Sequence, residues 1–319
     1  NGRGTLSEGN GTSMTDLRAA VFAYSEVGFV CLRELVERGV TVQALFTYED
    51  DPKEEIWFPS AAGLARSAGI PVYTPPLPGD EEYRLLADLK PDVIFSFYYR
   101  SMIAERFLDI PPKGAFNIHG SLLPRYRGRA CINWAVLNGE TETGATLHHM
   151  VGRADAGDIV DREKVPILFE DTAFDVGKKV AEAARILVAR NIERIAEGTA
   201  PRIPQREEDA TIFGRRTPAD GIIPWNKSAV EIYNLVRAVT HPFPGAYTFL
   251  AGRKLYVWKV LPEKDGGKGT EPGTVISEIP TIVQTADGAI RILRAQWEGE
   301  EEQDCTAPGF FPENGVRLG

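Results

Sequence analysis

An amide, an imidazole and a carboxylate that could act together on a carbonyl group are present at Asn117, His119 and Asp155. If residues 115–119 form a β-strand, its period of two puts Asn117 and His119 on the same face. The strand is expected to end at Gly120, so both side chains should lie near the carboxyl edge of a sheet, where open α/β sheets hold their ligands. Asp155 would return to them from a second loop.

These residue types suit acyl transfer without a covalent enzyme intermediate. Imidazole is the side chain best able to move a proton at neutral pH. The amide N–H of Asn117 could hold the negative oxygen that develops on an attacked carbonyl, and Asp155 could fix the tautomer of His119 and favour its charged form. Either His119 or Asp155 alone would be better explained as structural, but Asn-x-His at a strand end favours chemistry. Gly152 and Gly157 predict a tight turn around Asp155.

Length and charge limit the possible functions. A chain of 319 residues is long enough for about two domains. Its net charge of −9 disfavours a nucleic-acid partner, because an acidic surface repels phosphate backbones. Three widely spaced cysteines indicate a reducing compartment and no disulfide framework. Without a long apolar run or a signal peptide, we expect a cytoplasmic protein that does not insert into a membrane.

Two other classes of enzyme are disfavoured by their missing motifs. A dinucleotide-binding fold would have Gly-x-Gly-x-x-Gly in its first strand–helix loop, but residues 24–28 read Tyr-Ser-Glu-Val-Gly. Metal binding is not expected either, because the four histidines include no His-Glu-x-x-His motif. His148 and His149 lie on a predicted strand, so their side chains point to opposite faces, and we expect one or other of them to be structural.

The order of elements predicts two domains. Residues 1–13 are rich in Gly, Ser and Thr and are interpreted as a remnant of an expression tag. Residues 14–198 alternate strands and helices, which indicates an α/β domain with a mainly parallel sheet. A Pro-, Arg- and Glu-rich linker is predicted at 199–212. Residues 213–319 contain a helix and several short strands, which fit a small open barrel.

Three segments together resemble one known family. They read Asn-Ile-His-Gly-Ser-Leu-Leu-Pro at 117–124, Tyr-Arg-Gly at 126–128 and Asp-Ala-Gly-Asp at 155–158. The sequence is similar in these segments to the folate-dependent formyltransferases. The resemblance implies a Rossmann-like formyltransferase domain followed by an OB-like barrel, with 10-formyltetrahydrofolate as co-substrate.

The resemblance also assigns roles to individual residues. It implies that Asn117, His119 and Asp155 are catalytic. The residues that it implies contact the formyl-folate are Ser101, Met102, Ile103, Arg129, Val151, Gly152, Arg153 and Ala154. Arg129 belongs to a group with Arg125 and Arg127, which could form a solvated basic turn or meet an anionic group, either a folate glutamate tail or a sugar-nucleotide diphosphate.

Within the family, three further segments resemble the enzymes that formylate UDP-4-amino-4-deoxy-L-arabinose in lipid A modification and polymyxin resistance. They are residues 95–100, Ile-Asn-Trp at 132–134 and His-His-Met at 148–150. This resemblance implies a UDP-linked amino sugar as the small-molecule partner. The alternatives are a methionyl-tRNA formyltransferase and a non-catalytic folate or nucleotide-sugar binding protein.

Overall fold

The structure is a computed structural model that describes residues 16–49, 56–267, 269–306 and 315–319. The tag remnant predicted at residues 1–13 lies outside these ranges.

A seven-stranded sheet is the framework of the α/β part of the chain. Its strands follow the order β3-β2-β1-β4-β5-β7-β8, and β6 and β9 pair with each other elsewhere. The strands are β1 (Arg18–Ala23), β2 (Thr41–Phe46), β3 (Val72–Tyr73), β4 (Val93–Phe97), β5 (Ala115–His119), β6 (Arg127–Gly128), β7 (Glu142–His149), β8 (Ile159–Pro166) and β9 (Ile212–Phe213). The first five strands in this order are parallel to one another, whereas β7 is antiparallel to β5.

Helices alternate with these strands because apolar stripes recur at helical spacing. On α1, for example, Leu32 and Leu35 are fully buried. The helices are α1 (Ser25–Glu37), α2 (Ala61–Ser67), α3 (Asp80–Leu89), α4 (Glu105–Leu108), α5 (Cys131–Leu137), α6 (Ala173–Glu197) and α7 (Ala229–Val239).

The central strands β1 and β4 are mostly apolar because they are covered on both faces. Every residue of β4 is buried, and the aromatic rings of Phe22 and Phe46 stack at 4.6 Å in the core beside it. The parallel register pairs Phe97 with Ile118, so β4 and β5 end at the same edge of the sheet. That edge therefore carries both the end of β5 and the residues that follow β4.

The carboxyl-terminal part is an antiparallel sheet preceded by α7. Its strands follow the order β10-β11-β14-β13-β12, and β15 pairs with β14. The strands are β10 (Ala246–Leu250), β11 (Arg253–Glu263), β12 (Val275–Glu278), β13 (Thr281–Gln284), β14 (Ala289–Trp297) and β15 (Gln303–Asp304). The predicted class, a mainly parallel α/β domain followed by an antiparallel β domain, is confirmed.

The chain forms two compact units, each assembled from three segments. The first contains Asn1–Pro124, Ala145–Glu163 and Ala181–Asp209, and the second contains Arg125–Gly144, Lys164–Val180 and Ala210–Gly319. Most of the predicted linker at 199–212 thus belongs to the first unit, and the domain limits drawn from the sequence stay a prediction. None of the helices in the described part of the chain has the length and apolar character that a membrane span requires.

Candidate active site

The three side chains singled out by the sequence come together in the first unit. Asn117 and His119 lie on β5, which occupies the predicted residues. The Nδ1 atom of His119 is 3.4 Å from the Oδ1 atom of Asp155. Both side chains are largely shielded from solvent, with 8 % and 13 % of their surface exposed. With Nδ1 directed at the carboxylate, Nε2 is the ring nitrogen that can exchange a proton with a substrate.

The turn that carries Asp155 differs from the prediction. The left-handed backbone conformation is adopted by Asp155 itself, with φ of 53°, and Gly152 and Gly157 do not adopt it. An aspartate tolerates this conformation better than most residues. Gly157 is instead required by space, because a Cβ atom there would lie 1.9 Å from the carbonyl oxygen of His149. The backbone of the loop therefore packs directly against the end of β7.

Gly157→Ala is expected to lower kcat by about 10²-fold, because the added methyl group would push the loop from β7 and displace the Asp155 carboxylate. The matched control is Gly177→Ala on α6, where an added Cβ would lie in open space. That variant should keep most of the activity. Steady-state kinetics on both variants check this expectation, and equal losses in the two would contradict it.

His148 belongs to the same cluster. Its Nε2 atom is 3.0 Å from Nδ2 of Asn117 and 3.7 Å from Oδ1 of Asp155. Its Nδ1 atom is 2.8 Å from the backbone oxygen of His149. A carbonyl oxygen can only accept, so Nδ1 carries the proton and Nε2 accepts a hydrogen bond from the Asn117 amide. His148 thereby fixes which end of the amide is the donor.

Sequence reasoning left open which of the two neighbouring histidines is structural. His149 is directed elsewhere, since its Nε2 donates to the backbone oxygen of Pro201 at 3.0 Å. The antiparallel register of β5 and β7 sets Asn117 opposite His148. The strand period in the sequence predicts that His148 and His149 point to opposite faces. The sequence does not reveal the pairing direction, which decides that His148 is the one that meets Asn117.

Burial lowers the pKa of His148 to about 4, although the Asp155 carboxylate opposes this shift. The unfolded chain takes up this proton near pH 6.5, whereas the folded protein does so near pH 4. The folded state therefore loses stability as the pH falls through this interval, because the unfolded chain binds the proton more readily than the folded protein does.

We expect His148→Gln to remove most of this acid sensitivity, because the variant has no imidazole to protonate. Urea unfolding at pH 7 and pH 4.5 measures the effect, with exposed His241 changed to Gln as the control. A His148→Gln protein that loses as much stability as the wild type over this interval would contradict the expectation.

Gln205 is a further residue that the sequence did not indicate. Its Nε2 atom donates to the backbone oxygen of Asp155 at 2.8 Å and to that of Gly157 at 2.7 Å. It lies in the predicted linker, 50 residues from Asp155. Every residue has a backbone oxygen that can accept a hydrogen bond, so the residue types at 155 and 157 could not have revealed this contact. Gln205 holds both sides of the turn that presents the carboxylate.

The residues predicted to contact formyl-folate have varied surroundings. Ser101 follows β4, and its hydroxyl is 2.9 Å from that of Tyr48. Met102 is 57 % exposed, whereas Ile103 is buried in the apolar cluster with Phe107.

In the loop before Asp155, Val151, Gly152, Arg153 and Ala154 are all exposed. Nη1 of Arg153 is 3.1 Å from Oε2 of Glu207. Arg129 lies in the second unit. No group of three or more potential metal ligands occurs among the described residues.

Two family models match the chain. The formyl transferase model matches residues 40–192, and the model of the formyl transferase carboxyl-terminal domain matches residues 215–309. Together they account for well over half of the chain.

Three solved structures show the same fold. An N-formyltransferase from Helicobacter canadensis, in complex with folinic acid and dTDP-3-aminofucose, is 22 % identical with a TM-score of 0.70, over 88 % of this chain and 99 % of its own. WlaRD, a sugar 3N-formyltransferase, is 20 % identical with a TM-score of 0.66, over 89 % and 99 %. A sugar N-formyltransferase from a Shewanella species is 18 % identical with a TM-score of 0.62, over 76 % and 96 %.

At these identities the likeness to solved structures concerns the fold. The two family models concern the sequence itself, and both describe parts of one family. Their matches enclose all of the clustered side chains, Asn117, His119, His148 and Asp155. The chain belongs to the formyl transferase family and is a formyl-transfer enzyme.

Proposed function

We propose that this enzyme transfers the formyl group of 10-formyltetrahydrofolate to the amino group of a nucleotide-linked amino sugar, and that Asn117, His119 and Asp155 carry out the transfer. The observation that carries the proposal is the approach of His119 and His148 to the same oxygen of Asp155, at 3.4 and 3.7 Å, with Asn117 held against His148. This cluster combines a proton-transfer group with an oriented amide donor.

The neutral amine attacks the formyl carbon and forms the new carbon–nitrogen bond. The carbonyl oxygen becomes negative, and the Nδ2 hydrogen of Asn117 that does not face His148 stabilises it. As the bond from carbon to the folate nitrogen breaks, Nε2 of His119 accepts the proton of the incoming amine and returns it to the departing nitrogen. Asp155 stabilises the imidazolium that exists between these two proton transfers.

The distance of 3.4 Å between His119 and Asp155 exceeds the usual range for a hydrogen bond. Catalytic hydrogen bonds are often long without substrate and shorten in the substrate complex. We therefore propose that substrate binding brings the Asp155 turn closer to His119. Because Gln205 holds this turn through two backbone oxygens, the turn would move as one piece.

The finer proposal is that the acceptor is UDP-4-amino-4-deoxy-L-arabinose, with a role in lipid A modification and polymyxin resistance. It rests on the resemblance of residues 95–100, 132–134 and 148–150. The Helicobacter canadensis structure contains dTDP-3-aminofucose, so related chains of this fold bind amino sugars of another kind. That precedent supports a nucleotide-linked amino sugar as the class of acceptor. The identity of the sugar rests only on the three sequence motifs.

Incubation of the protein with 10-formyltetrahydrofolate and one acceptor at a time tests the proposal. UDP-4-amino-4-deoxy-L-arabinose, dTDP-3-aminofucose and charged initiator tRNA are the three acceptors, and mass spectrometry detects the formylated product. We expect formylation of the UDP sugar at the highest kcat/KM. Formylation of tRNA alone would reject the proposed function, and preference for the dTDP sugar would reject only the finer assignment.

A further inference from the structure

Tyr48 has no part in the mechanism proposed above, yet it makes a specific contact within the first compact unit. It follows β2, and its hydroxyl reaches Ser101 in the segment after β4, 53 residues further along the chain. The hydroxyl oxygen accepts a hydrogen bond from the backbone N–H of Ser101 at 2.9 Å. It also donates to Oγ of Ser101 at 2.9 Å. One phenol therefore holds both the backbone and the side chain of Ser101.

The ring of Tyr48 is anchored to the core of the sheet. It stacks on Tyr99 with 4.7 Å between the ring centroids, and it meets Tyr24 edge-on at 5.5 Å. Tyr99 in turn meets Phe22 of β1 edge-on at 5.3 Å. Stacked and edge-to-face aromatic pairs add to the stabilisation that burial provides. Tyr48 thus joins the core to the segment after β4.

That segment begins in an unfavourable backbone conformation. Tyr98 has a φ of 57°, in the left-handed region that bulky side chains rarely adopt. Such a conformation persists only where the surrounding contacts hold it. The contacts from Tyr48 to Tyr99 and Ser101 come directly after Tyr98 and hold the chain beyond this bend.

The same segment continues to a residue that adjoins the loop before Asp155. A Cβ atom on Gly152 would lie 3.2 Å from Oε2 of Glu105, the first residue of α4. Each of the two segments has an exposed apolar side chain, Met102 at 57 % and Val151 at 44 %. Exposed apolar side chains on adjacent segments indicate a surface that a ligand covers. The conformation of residues 98–103 shapes one side of this surface.

We infer that Tyr48 is a positioning residue for the binding of formyl-folate, and that it acts by holding Ser101, and with it Met102 and Ile103, in the conformation that the co-substrate meets. The inference rests on the proposed function, in which 10-formyltetrahydrofolate is the formyl donor. Because Tyr48 acts through Ser101, its removal should weaken co-substrate binding and leave the proton transfer at His119 unchanged.

Tyr48→Phe tests the inference in the full chain, because it removes both hydrogen bonds and keeps the ring. Isothermal titration calorimetry with folinic acid, a formyl-folate isomer, measures binding without transfer. The variant should bind folinic acid about tenfold more weakly, because the segment then samples other conformations and affinity falls with the fraction that is competent to bind. Equal affinity of the variant and the wild type would overturn the inference, as would wild-type protein that does not bind folinic acid.

Tyr73→Phe is the matched control. Tyr73 lies on β3, and its ring stacks on Phe46 at 5.3 Å. Within the part of the chain that the structure describes, its hydroxyl makes no hydrogen bond. This variant should bind folinic acid within about twofold of the wild type. Equal losses in the two variants would reject a specific role for Tyr48.

Hydrogen exchange of the unliganded protein separates positioning from a general effect on stability. In Tyr48→Phe the backbone N–H of Ser101 loses its acceptor, so peptides that contain residues 99–103 should exchange at least about tenfold faster. Peptides that contain β5 should exchange as in the wild type. Unchanged exchange at 99–103, or equally faster exchange in both regions, would contradict the inference. Mass spectrometry of the digested protein measures both.

Steady-state kinetics with a saturating amino sugar complete the test. In Tyr48→Phe the KM for 10-formyltetrahydrofolate should rise about tenfold, with kcat within about twofold of the wild type. A fall in kcat at unchanged KM would overturn the inference and leave the proposed function intact. If Tyr48→Phe weakens folinic acid binding while the wild type formylates no amino sugar, Tyr48 keeps its role in folate binding and the proposed function fails.

Discussion

His119→Ala is expected to lower kcat by about 10²–10⁴-fold, the usual contribution of a general acid–base group. Without the imidazole, no side chain at this position can take the proton of the amine and return it to the departing folate nitrogen. Binding of formyl-folate should change little, because proton transfer does not contribute to ground-state binding. Single-turnover kinetics and folate titrations measure the two quantities separately.

Asp155→Asn provides the companion measurement. Its carboxylate acts through His119, at 3.4 Å, so the double variant His119→Ala, Asp155→Asn should be about as slow as His119→Ala alone. Residues that act as a unit give such non-additive losses. Near-normal turnover of His119→Ala, or fully additive losses in the double variant, would refute the role assigned to His119.

Asn117→Ala is expected to lower kcat by about 10²–10³-fold, because the developing oxyanion loses its amide donor. The apparent affinity for both substrates should stay close to that of the wild type. Rapid-quench kinetics at saturating substrate concentrations give kcat for the chemical step. A loss confined to KM would mean that Asn117 contributes to binding and not to the transition state.

His148 supplies a matched pair of controls for this variant. His148→Gln keeps a polar group that can accept near the position of Nε2, so Asn117 should remain oriented. His148→Asn keeps only a group near the position of Nδ1, which faces the backbone oxygen of His149 at 2.8 Å. We expect the first variant to retain more activity than the second, and the reverse order would argue against orientation of Asn117 by His148.

Strand β5 was predictable because its evidence is local. Alternation of apolar and polar residues located β5 at 115–119, and the same pattern put Asn117 and His119 on one face. The carboxyl-terminal part also contains the helix and the short strands that the sequence predicted, since Gly and Pro interrupt the chain between the strands. In these segments the period of the side chains and the turn residues agree, which is why the sequence sufficed.

The remainder of the site depends on pairings that periodicity does not encode. The antiparallel direction of β7 brings His148 opposite Asn117. The period of the side chains is the same in a parallel and an antiparallel strand, so it does not predict this direction. The turn at Asp155 was expected to depend on the glycines around it, but Asp155 itself adopts the left-handed conformation and Gly157 provides clearance. Such close approach of two backbone segments is visible only once the fold has brought them together.

The two hydrogen bonds from Gln205 to the carbonyl oxygens of Asp155 and Gly157 have a consequence for protein engineering. A chimera that joins the amino-terminal part of this chain to a foreign carboxyl-terminal domain has to be spliced after residue 209, where the last segment of the first compact unit ends. A junction at the end of α6 would exchange Gln205 for an unrelated side chain and would leave the loop that carries Asp155 without these two hydrogen bonds.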